Sequence, residues 1–267
     1  MIIDFHTHAF PERIAEKALD TLSKTGGNLI CYCDGTIKGL LDNMQKENID
    51  KSVLLSIATN EKQMKSVNDF AISLNNYEDK IISFGSVHPM AGEACNELER
   101  IKEAGLKGIK FHPEYQDFFV DDPKMSKIYD TINKLGLITV FHAGMDDAFL
   151  EPIKAAPKRF KGIIPYFSSP VVLAHMGGYI MWNDVEKYLV GEKNLYFDTS
   201  FCFSRIPLPL MERIIKTHGC DKILFGSDMP WSPPSREKRI IDALSFSDFE
   251  KENILYNNAR NILLLNT

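Results

Sequence analysis

The chain is short of several features, and each shortage removes a class of function. No apolar run approaches the roughly 18 residues of a membrane-crossing helix, so no membrane association is expected. The N-terminus has no basic segment ahead of an apolar stretch, so no secretory leader is expected. There is no GxGxxG turn and no Walker-type loop, which sets aside the common phosphate cradles. Lys and Arg number 31 against 36 Asp and Glu, a net charge of −5, which argues against a nucleic-acid surface. Five cysteines without a regular framework fit a reducing, cytoplasmic compartment. Cys31 and Cys33 lack a second pair to complete a zinc site and read as free thiols, while Cys202 is a candidate pocket residue. With no repeat, low-complexity segment or linker, residues 1–267 read as one domain.

What the chain does have is histidine in one kind of place. Six of its seven histidines lie at or just past the C-terminal end of a short apolar run. His6 and His8 follow Ile2-Ile3-Asp4-Phe5, His88 follows Ile81–Val87, and His112 closes Gly108–Phe111. His142 closes Leu137–Phe141, and His175 closes Val171–Ala174. Only His218 sits elsewhere, late in a helical pattern.

The apolar runs are 2–6, 53–57, 81–87, 107–112, 137–142, 171–175, 194–198 and 222–227. Continuous rather than alternating apolar runs fit strands of a parallel sheet buried on both faces. Helical stripes separate them, such as Ile14, Ala15, Ala18, Leu19 and Leu22, or Met125, Ile128, Tyr129, Ile132 and Leu135. Eight strand–helix units in this length predict an α/β fold, the (β/α)8 TIM barrel. Active sites of such barrels lie at the C-terminal strand ends, where the six histidines fall. One crossover is long. Between the first two strands lie a helix from Pro11, the turn Thr25–Asn28 and a second helical pattern from about Thr36 to Glu47. Such an insertion reads as a lid or pocket wall. Ser247 and Glu250 form a capping box ahead of a last helix.

On one strand, His6 and His8 point to the same face and make a ready metal chelate. Asp228 ends the eighth run at the same rim. His6, His8, His142 and Asp228 supply three imidazoles and a carboxylate, which suits Zn2+ with one position left for water or substrate. Mn2+ and other divalent transition metals accept the same donors. His175 is the next participant: it polarises a carbonyl, acts as acid or base, or binds a second metal.

The ordered set His6-x-His8, Phe141-His142-Ala143-Gly144, Ala174-His175-Met176-Gly177-Gly178 and Gly226-Ser227-Asp228 resembles the amidohydrolase superfamily. It is most similar to the amidohydrolase-related branch that includes aminocarboxymuconate-semialdehyde decarboxylase, and the resemblance runs strand by strand through the chain. It implies that His6, His8, His142 and Asp228 bind the main metal, one ion per chain. It implies that His175 is catalytic or, in a binuclear site, a second-metal ligand. Asp4 would support the site. Binuclear relatives carboxylate a fourth-strand lysine, here Lys110, whereas an ordinary ammonium is the expectation for the decarboxylase-like branch. Barrels of this kind often pair, so a homodimer is the expected assembly.

The rim segment Lys110–Gln116 reads as substrate-binding, with Lys110, His112 and Glu114 as candidates. Arg205 and Trp231, beyond the seventh and eighth runs, are further substrate-binding candidates, and Arg236 and His88 have weaker claims. The leading reading is a metal-dependent hydrolase acting on an amide, ester or lactone of a small carboxylic-acid-type substrate, with Asp228 and His175 catalytic. The alternative is a nonoxidative decarboxylase, a lyase using the same residues. A phosphoesterase would want more basic residues around the pocket. A non-catalytic metal-binding protein would more often have lost one of the ligands.

Overall fold

A computed structural model describes residues 1–149 and 151–265. Strands and helices alternate along it. The order opens with β1 (Ile3–Thr7), α1 (Glu12–Thr25), α2 (Ile37–Glu47), β2 (Lys51–Leu55), α3 (Glu61–Ser73) and β3 (Ile81–Phe84). It continues with α4 (Ala94–Glu103), β4 (Gly108–Phe111), α5 (Ser126–Leu135), β5 (Ile138–Phe141), α6 (Pro157–Ile163) and β6 (Val171–Leu173). It closes with α7 (Trp182–Tyr188), β7 (Leu195–Asp198), α8 (Leu208–His218), β8 (Ile223–Leu224), α9 (Pro234–Ala243), α10 (Asp248–Glu252) and α11 (Asn258–Ile262). Among the described residues no helix is long and apolar enough to cross a membrane.

All strand pairings are parallel, in two runs, β1-β2-β3 and β4-β5-β6-β7-β8. Both seams between the runs are stitched. At the first, Gly85 N–H donates to Gly108 O (3.0 Å) and Lys110 N–H to Gly85 O (2.8 Å). At the second, Phe5 N–H donates to Phe225 O (2.8 Å), Asp228 N–H to His6 O (2.9 Å) and His8 N–H to Met229 O (2.7 Å). The fold is the (β/α)8 barrel that the apolar runs predict. β8 is shorter than the run 222–227: Leu224 O still accepts from Thr199 N–H (3.0 Å), but the next N–H on that side, Gly226, bonds the Thr199 hydroxyl oxygen (3.1 Å) instead of a β7 carbonyl.

Alternation along the strands divides the core in two. Val53, Leu55, Ile82, Phe84, Ile138, Val140, Val172 and Leu224 form one cluster with Ile3 and Phe5, plugged by Ala259 and Leu263 of the C-terminal segment. Their neighbours Leu54, Ile81, Ile109, Phe111, Phe141, Leu173, Phe197 and Ile223 join a larger cluster with helix residues such as Leu98, Ile101, Ile128 and Ile132. The first set fills the barrel and the second seats its helices, as period-2 side chains require. In the long crossover, α2 starts where the Thr36 hydroxyl accepts from Gly39 N–H and stops at Asn48 in the left-handed region. The Ser247–Glu250 capping box forms at α10.

His218 is a structural residue. It stacks on Phe197 at 4.2 Å, donates from Nε2 to Leu195 O (2.9 Å) and accepts at Nδ1 from Gly191 N–H (3.1 Å). Burial lowers its pKa to about 4. A histidine held neutral in the fold binds its proton more readily once unfolded, so stability is fully present above the unfolded pKa near 6.5. It is lost as pH falls through 6.5 toward 4, by about 3 kcal/mol from this residue alone. Urea melts at pH 7 and pH 5 should therefore separate widely for the wild-type chain. For His218→Gln the two melts should lie closer together, with the pH 7 stability lowered by about 1–3 kcal/mol through the orphaned partners.

Candidate metal centre

Three candidate ligand atoms converge at the β8–β1 seam. His6 Nε2 lies 3.6 Å and His8 Nε2 3.2 Å from Asp228 Oδ1, and the three residues form a group with ion-holding spacing. The backbone brings them there by a register shift. Between Asp4 and Thr7 β1 advances three residues while β2 advances two. This extra residue lets adjacent side chains both turn inward. Phe5 packs edge-on against Phe84 in the barrel interior (5.9 Å), while His6 and His8 face each other at 5.1 Å above it. Asp228 has a left-handed backbone (φ 73°), and so has His175 (φ 58°). Such strain in non-glycine residues concentrates where function demands a particular side-chain direction. Gly226 is needed for space, since a Cβ there would stand 2.9 Å from His6 Cβ.

Hydrogen-bond partners assign the tautomers. His6 Nδ1–H donates to Asp198 Oδ2 (2.8 Å), which leaves Nε2 as a lone pair. His8 Nδ1–H donates to Leu55 O (2.8 Å), which leaves its Nε2 as a lone pair too. Both lone pairs face an Asp228 oxygen. Burial raises the pKa of that carboxyl, but positive charge gathered at His6, His8 and His175 outweighs burial and holds it well below the usual range. Three acceptors pointed at one another repel unless a cation lies between them. The donor set and its outer carboxylate are those of a divalent transition-metal site.

The same logic repeats next door. His142 Nε2–H donates to Met145 O (2.9 Å) and His175 Nδ1–H to Ser200 O (3.0 Å). The remaining nitrogens, His142 Nδ1 and His175 Nε2, face each other at 3.1 Å. The sequence reading joins His142 to His6, His8 and Asp228. The structure instead pairs it with His175, beside the triad. His142 also lies near His112 and Asp146 in a second group with ion-holding spacing. Its Nε2, however, already donates to a carbonyl, so the His142–His175 pair is the stronger second donor set. Gly144 (φ 89°) lets this loop close, because a Cβ there would sit 2.2 Å from Tyr179 N.

The groups around these donors are fixed by burial. Desolvation lowers the His6 pKa to about 4, with nearby Lys110 adding to it, and it also lowers His175 and, much further, His112 and His142. All four are uncharged at neutral pH. Lys110 is buried with its Nζ 3.4 Å from His6 Nε2, and burial lowers its pKa to about 8 against the pull of Asp198 and Asp228. Asp198 is pushed up by burial, but the bond to His6 and the nearness of His175 and Lys110 hold it far below its usual value. It also accepts from His175 N–H (3.1 Å) and from Ser200 N–H (3.0 Å) and Oγ.

The sequence reading missed Asp198, although it ends the seventh apolar run as Asp228 ends the eighth. Asp146, 3.4 Å from His112 and raised to about 6 by burial, carries no such signal, because it sits in a loop. Lys110, His112 and Trp231 line the same cavity as His6, His8, His142, His175 and Asp228. His112 stacks on His142 at 4.2 Å. Two substrate-binding candidates do not line it. Glu114 is buried and accepts from Lys154 N–H (2.7 Å), which fastens the loop after β5. Arg205 lies 3.8 Å over the Phe201 ring and donates to the Tyr179 hydroxyl (3.0 Å), so it braces two wall residues from behind. Cys202 is fully buried with its N–H on Glu237, and all five cysteines are free thiols.

The amidohydrolase family profile matches residues 3–265. The chain belongs to the amidohydrolase family. No curated protein matches it in sequence. Solved structures with the same fold include 5-carboxyvanillate decarboxylase from Sphingomonas paucimobilis, 16% identical, with 99% of each chain covered and a TM-score of 0.73. Another is a dihydroxybenzoic acid decarboxylase from Polaromonas with bound manganese and the inhibitor 2-nitroresorcinol, 18% identical, covering 100% of this chain and 97% of that one at TM-score 0.71. A third is 4-oxalomesaconate hydratase from Rhodopseudomonas palustris, 19% identical, covering 98% and 95% at TM-score 0.68. As an amidohydrolase the chain is of a metal-dependent enzyme family.

Asp198 offers a direct test of the tautomer assignment. Asp198→Asn should weaken Zn2+ affinity by about 10–100-fold, the usual cost of losing a carboxylate behind a histidine ligand. Competition against a chromophoric chelator measures it, with far-UV circular dichroism reporting that the barrel is intact. Unchanged affinity would remove Asp198 from the site.

Proposed function

We propose that this amidohydrolase is a zinc-dependent hydrolase that cleaves an amide, ester or lactone bond in a small carboxylic-acid-type molecule. The observation that carries this reading is the convergence of His6 Nε2, His8 Nε2 and Asp228 Oδ1 as unprotonated donors on a cavity wall. His6, His8 and Asp228 would hold one ion per chain, with His142 as the adjoining donor. A bound ion would supply a Lewis acid and lower the pKa of water. Asp228, ionised, takes the proton released as water is used and delivers it to the leaving group. His175 Nε2 carries a lone pair, so it accepts a proton rather than donating to an oxyanion. That donor role falls to the buried Lys110 ammonium, whose N–H groups stabilise negative charge on the substrate. Five free thiols support a reducing, cytoplasmic location.

A second reading is nonoxidative decarboxylation. Lys110 favours it, as a buried cation on the cavity wall beside the triad where a substrate carboxylate would sit. The C–CO2 bond would break with its electron pair left on carbon, and that carbon would then take a proton that His175, neutral at rest, has first accepted at Nε2 from solvent water. Two of the structural relatives named above are decarboxylases of aromatic acids.

Elemental analysis of protein purified without chelator or affinity tag should return about one zinc per chain. His6→Ala and His8→Ala should each lose the ion and all turnover while keeping the barrel's circular dichroism. His175→Ala should keep the ion and lose about 10²–10⁴-fold in kcat, the usual weight of a proton-transfer group. Two ions per chain, with one lost in His175→Ala, would replace the mononuclear reading by a binuclear one. Release of CO2 rather than a cleaved acyl group in a substrate screen would decide for the lyase.

A further inference from the structure

The cavity does not stop at the donor cluster. It has a volume of about 280 Å³ and continues from His8 into a cleft between α1 and α3. Six apolar side chains line this arm: Ile14 and Leu22 of α1, Leu29 beyond it, Ile57 after β2, and Val67 and Phe70 of α3. Arg13, Thr59 and Ser66 are its polar lining, and the carboxylates on the cavity wall (Asp146, Asp147 and Asp228) belong to the histidine end. Ile14 and Leu22 stand eight residues apart, about 12 Å along the helix. The arm is therefore long as well as apolar.

The core uses these side chains only in part: Leu29, Val67 and Phe70 rest one side on it, while Ile14, Leu22 and Ile57 lie outside the core cluster. α1 buries Ala15 and Leu19, and α3 buries Met64, Asn68 and Ala71. Ile14 remains 42% exposed, and Leu22, Leu29, Ile57, Val67 and Phe70 are only half-buried. Each helix thus carries a second apolar stripe, turned toward the other helix across open space. An uncovered apolar surface of this kind, continuous with a polar reacting end, marks a ligand groove.

We propose that this arm binds an extended apolar limb of the substrate, an alkyl or acyl chain of medium length, while the polar end of the same molecule lies at His6, His8 and Asp228. The inference rests on the reading of that triad as the reacting centre. It makes the substrate an amphiphile rather than a compact acid, and it makes Ile14, Leu22, Val67 and Phe70 specificity-determining residues.

Straight-chain hydroxamic acids, from acetohydroxamate to octanohydroxamate, test it by calorimetric titration into zinc-loaded protein. The hydroxamate end chelates the ion and the chain samples the arm. Affinity should rise about two- to fourfold per added methylene until the arm is filled, then level off. In I14Q and V67Q, both partly exposed positions, the rise should flatten while acetohydroxamate binds as in the unsubstituted protein. A flat series in the unsubstituted protein overturns the proposal. If acetohydroxamate itself fails to bind, the metal-centre reading falls instead. The arm is then decided by straight-chain carboxylates of the same lengths, read by tryptophan fluorescence, since Trp231 lines the cavity. A rise with chain length that I14Q abolishes supports the arm, and a flat series overturns it.

Discussion

Asp4 accepts three hydrogen bonds where the first strand meets the last: from Ser227 N–H (2.9 Å), from Ser227 Oγ (2.5 Å) and from His6 N–H (3.2 Å). It is 1% exposed, and burial raises its pKa to about 7 against the pull of those bonds. The protein places a carboxyl where ionising it is costly, and that one group positions two members of the candidate triad at once. Ser227 precedes Asp228, and His6 is the first imidazole of the triad. A buried donor left without its acceptor costs about 1–3 kcal/mol, so loss of Asp4 would loosen both halves of the seam together. Barrel closure and triad geometry are thus one problem with one solution.

The electrostatics of the rim follow from that closure. Burial keeps His6, His112, His142 and His175 neutral, while neighbours keep Asp198 and Asp228 ionised. His6, His8, His142 and His175 each spend one nitrogen on a fixed acceptor and present the other to their neighbours. The result is an excess of lone pairs in a small volume, with Lys110 as the buried cation beside them. Such a rim is poor as packing and good as a cation trap. The left-handed backbones of Asp228 and His175 have the same character, since they cost stability locally and aim side chains.

Much of this was legible in the chain itself. Eight apolar runs marked eight strands, and histidines at their ends marked the working rim, because a parallel barrel buries both faces of each strand and exposes only its ends. Thr36 and Ser247 marked helix starts, because capping is a local interaction. What depended on distant partners was not legible. The bulge after Asp4 arises from the pairing of β1 with β2, and no residue in His6-Thr7-His8 announces it. The direction of His142 is set by Met145 and His175 from separate loops. Glu114 looked like a rim residue, but Lys154, forty residues on, claims it. Asp198 is the instructive case: its position at a strand end was readable, and its partner His6, 192 residues away, was not.

The Asp4–Ser227 bond also has a meaning in time. It joins residues 223 positions apart, so it forms only when almost the whole chain has been threaded around the ring. Contacts of such long sequence separation are the slow ones in folding. His6 and His8 are made early and wait, through seven strands, for the carboxylate that completes them. If the triad is the metal site, it would serve as a checkpoint on completion, because a chain stalled before β8 has the histidines and lacks their carboxylate. On the proposed reading of the triad, metal capture would be the last event of assembly, and a bound ion would act as a clasp upon it.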